Sequence, residues 1–572
     1  MHWLRIRRGY GGTTTRGQPS RRPLSIYFAL ALILLLLLIP LIGTIWTASH
    51  ADASQPGAFN LPRLRNTTAL YGPSSRKRAS SITPASARPG GLFPGWAGHA
   101  AQRAGRAGLS PRRVHDNSAF AANVVVASDA TPAPFGPEPR NGPQAAVDPT
   151  NPSHIVVLYN DYSVDGQGGI STVGYATSTN GGASWSASQL VHGLLKIDGG
   201  AYDGADDPGI TFDANGNAYL TVTTFDAGDW ATAIYVAVMP VSSSQFGAPV
   251  KVATFNDTHS VVEYARIAPG LASGTLYLTF NALGATPQTP NSSLAAAWTS
   301  QSYFTGSLDG GQTWSAPLAI GSGQQDYWGV PVVDWNGAVF VFYSGASGLE
   351  MVQSSNGGQA WSSPRSLATI NTVGEQRAYN DVYINPGPDA AVDSGSKTLY
   401  VVYDGGKTII SNDDGVTWSQ PIDVLGSSYT SAFLASIAVD PATHVISVGG
   451  YSTAGDPSQN TFAYYYAQSA DGGNHFSSAV LVSDNASLPP APAFGSIGRA
   501  SSVASGGHFA HLFWTDTNGV NGNEQIVSAS VDVSQPMMGA LQNSWDSTQT
   551  LPAWGIVFTG AGSQNIGVGD YG

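Results

Sequence analysis

The chain has 572 residues, a formal net charge of −12, no cysteine, 68 glycines and only 11% charged residues. Without cysteine it forms no disulfides and no thiolate metal sites. Sixteen of the 25 basic residues precede position 114 with a single acid, Asp52, so the remainder sets nine basic residues against 36 acids and carries a charge near −27. A body this acidic excludes nucleic acid as a partner and requires a local basic pocket for any anionic ligand.

Residues 1–25 are a basic segment holding Arg5, Arg7, Arg8, Arg16, Arg21 and Arg22. Ile26 to Gly43 is an uninterrupted apolar run, extending past one Thr to Trp46, and is long enough to cross a bilayer. The excess of arginine ahead of it places the N-terminus in the cytoplasm and everything after residue 46 outside. Two readings of the 26–46 segment stand: a retained transmembrane anchor, or a signal peptide cleaved at the small-x-small site Ala51-Asp52-Ala53. The protein is accordingly expected on the extracellular side of the membrane, or secreted if the signal is removed. Residues 47–117 are rich in Ala, Pro, Gly and Arg without periodicity and read as a disordered linker.

Residues 118–572 are organised by repetition. Five copies of Ser-x-Asp/Asn-x-Gly-x-x-aromatic occur, at Ser178–Trp185, Ser307–Trp314, Ser354–Trp361, Ser411–Trp418 and Ser469–Phe476. Each lies between apolar, alternating runs and reads as a hairpin turn. The Asp or Asn oxygen is expected to accept from backbone amides two or three residues on. The Gly takes a positive φ, and the aromatic ring is buried against a neighbouring unit. Successive starts at 307, 354, 411 and 469 are 47, 57 and 58 residues apart, one four-stranded antiparallel sheet each. The longer gap from 178 to 307 holds one unit without the motif, in which Ser242-Ser-Ser-Gln-Phe246 stands at its place. Unit starts fall near 145, 206, 264, 329, 377, 435 and 498. The pattern predicts an all-β fold, a single six- or seven-bladed β-propeller, with seven favoured. The last unit lacks a fourth strand, and Asn123-Val-Val-Val-Ala-Ser128 resembles the missing one, so this early strand is expected to close the ring.

The motif resembles the Asp-box, also called the bacterial neuraminidase repeat, and over roughly residues 120–535 the chain resembles the sialidase-like β-propeller superfamily. That resemblance implies carbohydrate or a cell-surface glycan as the partner. Its enzymes carry their boxes on the face away from the active site. It also implies an exo-glycosidase of sialidase type, with an arginine triad on the substrate carboxylate, a Tyr nucleophile assisted by a Glu, and an Asp acid/base. The nearest string to the family's Arg-Ile-Pro stretch is Tyr264-Ala-Arg266-Ile-Ala-Pro269, and the full catalytic set is not recognisable. The alternative is a non-catalytic propeller that binds glycan or protein outside the cell.

Basic residues are scarce in the body, and Arg266, Arg377 and Arg499 fall near unit starts, where the first strand of a propeller blade lines the central channel. Guanidinium groups gathered there would suit a carboxylate ligand. Equally, they would tie blades together through neighbouring acids. Glu263, Glu375 and Tyr379 sit beside them, and Asp207 supplies a further acid. Tyr327, Trp328 and Trp230 read as loop aromatics able to stack on sugar. No cofactor is expected except Ca²⁺, for which Asp203 and Asp206 are the candidate ligands. The protein is expected to be a monomer.

Overall fold

The computed structural model describes residues 122–128, 139–163, 171–226, 232–255, 260–285, 298–323, 325–370, 376–378, 382–384, 387–426, 432–456, 461–488, 497–519 and 524–534. The segments 1–25, 26–46 and 47–117 assigned from sequence lie outside them, as does the C-terminal tail from 543. No helix among the described residues is long and apolar enough to cross a membrane.

Among the described residues there are seven four-stranded antiparallel sheets and one two-stranded hairpin. Each sheet is a blade. The first strands are Arg140–Val147, Gly204–Phe212, Ser260–Pro269, Tyr327–Val333, Asp389–Asp393, Ala432–Val439 and Ser502–Gly506, here blades 1 to 7. These seven strands pack on one another in ring order, the seventh against the first, so they are the innermost strands and surround a central channel. The fold is a seven-bladed β-propeller.

Blade 7 draws its fourth strand from the other end of the chain. Val124–Ala127 pairs antiparallel with Gln525–Asp532, and Asn123 binds the backbone of Val482 and Asp484 in blade 6. The strand expected to close the ring therefore does so, and no sheet edge is left open at that seam.

Among the described residues the apolar side chains form eight clusters, each lying between two consecutive blades, with two of them between blades 3 and 4. The motif aromatics are part of this arrangement. Trp185, Trp314, Trp361, Trp418 and Phe476 each pack into the cluster shared with the preceding blade. Phe246 of motif-less blade 2 takes the same place and meets Tyr175 edge-on at 5.1 Å. Blade 7 has no motif for a topological reason: its third and fourth strands are not joined by a turn.

In the motif turns the Ser hydroxyl donates to the Asp or Asn Oδ1, as from Ser307 to Asp309 at 2.8 Å, and accepts the Gly amide, as from Gly311 at 2.9 Å. The same pair recurs in the other four turns. Each Oδ1 also accepts the amide four residues on, in Ser184, Thr313, Ala360, Thr417 and His475. This reach is longer than expected from sequence, because the Ser hydroxyl already satisfies the nearer Gly amide. A second Asp lock, at Asp148, Asp213, Asp334, Asp393 and Asp440, ends five innermost strands by accepting amides of the turn that follows.

The spacing placed a blade start near 377, but blade 5 begins at Asp389. Gln376–Ala378 instead pairs with Val382–Ile384 in the separate hairpin. Arg377 thus lies ahead of the blade, on an insertion whose own short alternation imitates a first strand.

Candidate functional site

The innermost strands share a defect. In blades 1, 2, 3, 4 and 6 the pairing with the second strand slips by one residue, between Asn141 and Gln144, Asp206 and Gly209, Glu263 and Arg266, Tyr327 and Val330, and Phe433 and Ser436. The first extra residue is left-handed each time: Gly142 at φ 63°, Asp207 at 51°, Tyr264 at 59°, Trp328 at 57° and Leu434 at 51°. Blade 7 has no such slip, though Gly498, four residues ahead of its innermost strand, is also left-handed at φ 83°. Such bulges bend a strand and re-aim its side chains. Their amides are caught by the second strand of the preceding blade, Gly142 by Thr515, Asp207 by Asn160 and Trp328 by Asn281.

Glycine is required at two of these places. A Cβ on Gly498 would lie 2.2 Å from the Gly142 amide nitrogen. At Asp207, Tyr264, Trp328 and Leu434 the sequence keeps a side chain in the left-handed region, at a cost of roughly 1–2 kcal/mol each. Outliers of this kind concentrate at functional sites.

The strand register puts all the bulges at one end of the channel and the motif turns at the other. A cavity of about 60 Å³ with an open mouth lies at the bulge end and is lined by residues from six blades. Its walls include Gln144, Tyr264, Arg266, Trp328, Asp389, Leu434, Arg499 and Ser501.

Arg499 crosses the channel from blade 7. Its guanidinium donates to Asp207 Oδ2 of blade 2 at 2.6 Å, stands 3.9 Å from Glu263 of blade 3 and covers the Tyr264 ring at 5.0 Å. Tyr264 in turn meets Trp328 edge-on at 5.4 Å. Trp328 is 4% exposed, and its indole N–H has no acceptor among the described residues. Arg266, two residues after the Tyr264 bulge, donates to the carbonyl of Ala265. Burial lowers the pKa of its guanidinium, while Asp207 and Asp389 pull it upward. Asp389 occupies the equivalent position in blade 5. Burial raises its carboxyl, against the opposing effect of donors from Ser436, Ile437 and Ala390 and of the Arg266 charge. Beneath them Tyr162 is pushed well above the ordinary phenol value by burial and by Asp206, Glu524 and Asp207, with Arg499 pulling it down.

Of the residues singled out from sequence, Arg266, Arg499, Asp207 and Glu263 meet at the channel. Arg377 lies in the hairpin; Glu375, Tyr379 and Trp230 lie outside the described residues. Tyr327 and Trp328 belong to an innermost strand rather than a loop. Asp203 shares Lys196 with Asp226, at 3.1 and 2.5 Å, whereas Asp206 is buried beside Tyr162. Among the described residues no group of three or more His, Asp or Glu is placed to hold a metal ion. Asp389 was missed. Its string Asp389-Ala-Ala-Val-Asp393 repeats Gln144-Ala-Ala-Val-Asp148 and would have marked the start of blade 5.

No protein-family model matches the chain, and no curated protein matches it. Among solved structures it is similar to an α-L-arabinanase from Penicillium chrysogenum, at 14% identity and a TM-score of 0.41, over 73% of this chain and 99% of that one. It is also similar to the Hadza microbial sialidase Hz136, at 14% identity and a TM-score of 0.40, over 63% of this chain and 73% of the other. The NanB sialidase of Streptococcus pneumoniae gives 11% identity and a TM-score of 0.37, over 74% and 72%.

Proposed function

We propose that this chain is an exported, membrane-anchored propeller that acts on or binds carbohydrate at the bulge end of its channel. The observation that carries the reading is the trio Tyr264, Trp328 and Leu434, held in left-handed backbone around one cavity that Arg266, Arg499 and Asp389 also line. Two aromatic rings, an indole N–H without an acceptor, guanidinium donors and carboxylate acceptors are what a polyhydroxylated ring needs: an apolar face and directed polar partners. Export and anchoring rest on the apolar run at 26–46 and the arginines ahead of it.

A glycosidase would draw on Asp389, which lines the cavity and whose raised carboxyl suits proton donation, with Asp207 behind Arg499 as a second carboxylate. A second reading, binding without turnover, is favoured by how these groups are engaged. Arg499 is occupied by Asp207, and Asp389 holds Ser436 and Ile437 of the next blade. A panel of chromogenic glycosides, run with isothermal calorimetry on matching oligosaccharides, separates the readings. Turnover that Asp389→Asn abolishes supports the hydrolase; heat of binding without turnover supports the binding module. The carbohydrate reading fails if no saccharide binds or reacts. Mass spectrometry of the N-terminus of the exported protein tests the anchor: a start at Met1 supports it, a start near residue 54 replaces it with a cleaved signal.

A further inference from the structure

The charges at the channel define a ligand class, given that the cavity is the saccharide site proposed above. Two guanidinium groups, of Arg266 and Arg499, and the carboxylate of Asp389 line the cavity, and Arg499 is backed by the carboxylates of Asp207 and Glu263. The first of these cations is held by its own chain and the second by an ion pair at 2.6 Å. An arriving carboxylate would have to displace Asp207 from Arg499, leaving a 6%-exposed side-chain carboxylate without its partner, and would meet Glu263 and Asp389 as like charges. Either step opposes binding. The negative charge of the body adds to this repulsion.

An uncharged polyol meets none of these penalties. Arg266 and Asp389 stand at equivalent positions in blades 3 and 5, with Val330 of blade 4 between them, and each feels the other's charge. One offers N–H donors and the other offers acceptor oxygens. Vicinal hydroxyls, each both donor and acceptor, can span such a pair while the sugar ring lies against Trp328.

We propose that the channel selects neutral sugars over carboxylated ones, with Arg266 and Asp389 reading neighbouring hydroxyls. The test is calorimetric titration of the full chain with two sets of probes, and with glycan-array confirmation. The uncharged probes are methyl galactoside, methyl arabinoside and methyl mannoside; the carboxylated probes are galacturonic acid and N-acetylneuraminic acid. At least one uncharged probe is expected to bind tenfold or more tighter than every carboxylated one, with an affinity unchanged between 50 mM and 500 mM salt, values chosen to span roughly a threefold range in Debye length. Arg266→Gln should weaken that affinity tenfold or more. Should Arg266→Gln misfold, Arg266→Lys replaces it with the same expected direction. A carboxylated probe that binds tighter, or with an affinity that falls steeply with salt, overturns the neutral-sugar inference and leaves the saccharide site standing. Binding of uncharged probes that Arg266→Gln leaves intact also overturns it. Failure of every probe, on the array as well as in solution, overturns the saccharide reading itself.

Discussion

The two ends of the channel solve different problems. At the turn end one chemical device is used repeatedly: a Ser hydroxyl and an Asx oxygen satisfy local amides, and a glycine takes the left-handed position. At the cavity end one backbone device is used in five blades, yet the residue on it changes from blade to blade: Gly, Asp, Tyr, Trp and Leu. Uniform side chains mark the end that holds the ring together. Varied side chains on a uniform bulge mark the end where each blade contributes something different to one cavity.

The largest expected effect removes both ends at once. Deleting residues 122–128 strips a strand and the buried Val126 from blade 7, a loss on the order of 5 kcal/mol from apolar burial and ladder hydrogen bonds together. Thermal unfolding should show a lowered midpoint; an unchanged one would mean that the ring does not depend on this strand. At the cavity end, Arg499→Ala leaves Asp207 and Glu263 buried beside no guanidinium from blade 7, and should cost about 3–5 kcal/mol in urea denaturation. Pairing it with Asp207→Asn should recover part of that loss. If the single variant is as stable as the parent, the strut across the channel is not structural.

At the turn end, His511 is 1% exposed beside the motif turn of blade 1, and burial lowers its imidazole pKa from 6.5 to about 4. The unfolded chain therefore takes up this proton first. Its contribution is complete above pH 6.5 and is lost as pH falls towards 4, by up to about 3 kcal/mol. His511→Gln should flatten that part of the stability–pH curve; a variant with the same slope would assign the acid sensitivity elsewhere. The smallest effect is Ser354→Ala, which leaves the Gly358 amide without its acceptor and should cost about 1–3 kcal/mol, with no change in sugar affinity. A loss of affinity from that variant would break the division between the two ends.

The turn end was legible in the sequence because its geometry dictates residue types: only a few side chains can do what Ser307, Asp309 and Gly311 do. The closing strand was legible because the last unit lacked a fourth strand and Asn123–Ser128 resembled one. Arg266 and Arg499 were found through their scarcity in an acidic body. The bulges were not legible, since no residue type recurs at them and the slip exists only in the pairing of two strands. Arg377 was misplaced because its hairpin carries strand-like alternation without being part of a blade. The role of Trp328 depends on a positive φ that its identity argues against.

The seam in blade 7 also sets an order of events during synthesis. Ser528 meets Val124 at a sequence separation of 404, so the final blade waits for the first strand made to find nearly the last. A nascent chain, or one truncated before residue 525, carries an unpaired β-edge and has no closed ring. Contacts of such long range fold slowly, so closure of the ring is the step on which completion of the fold waits.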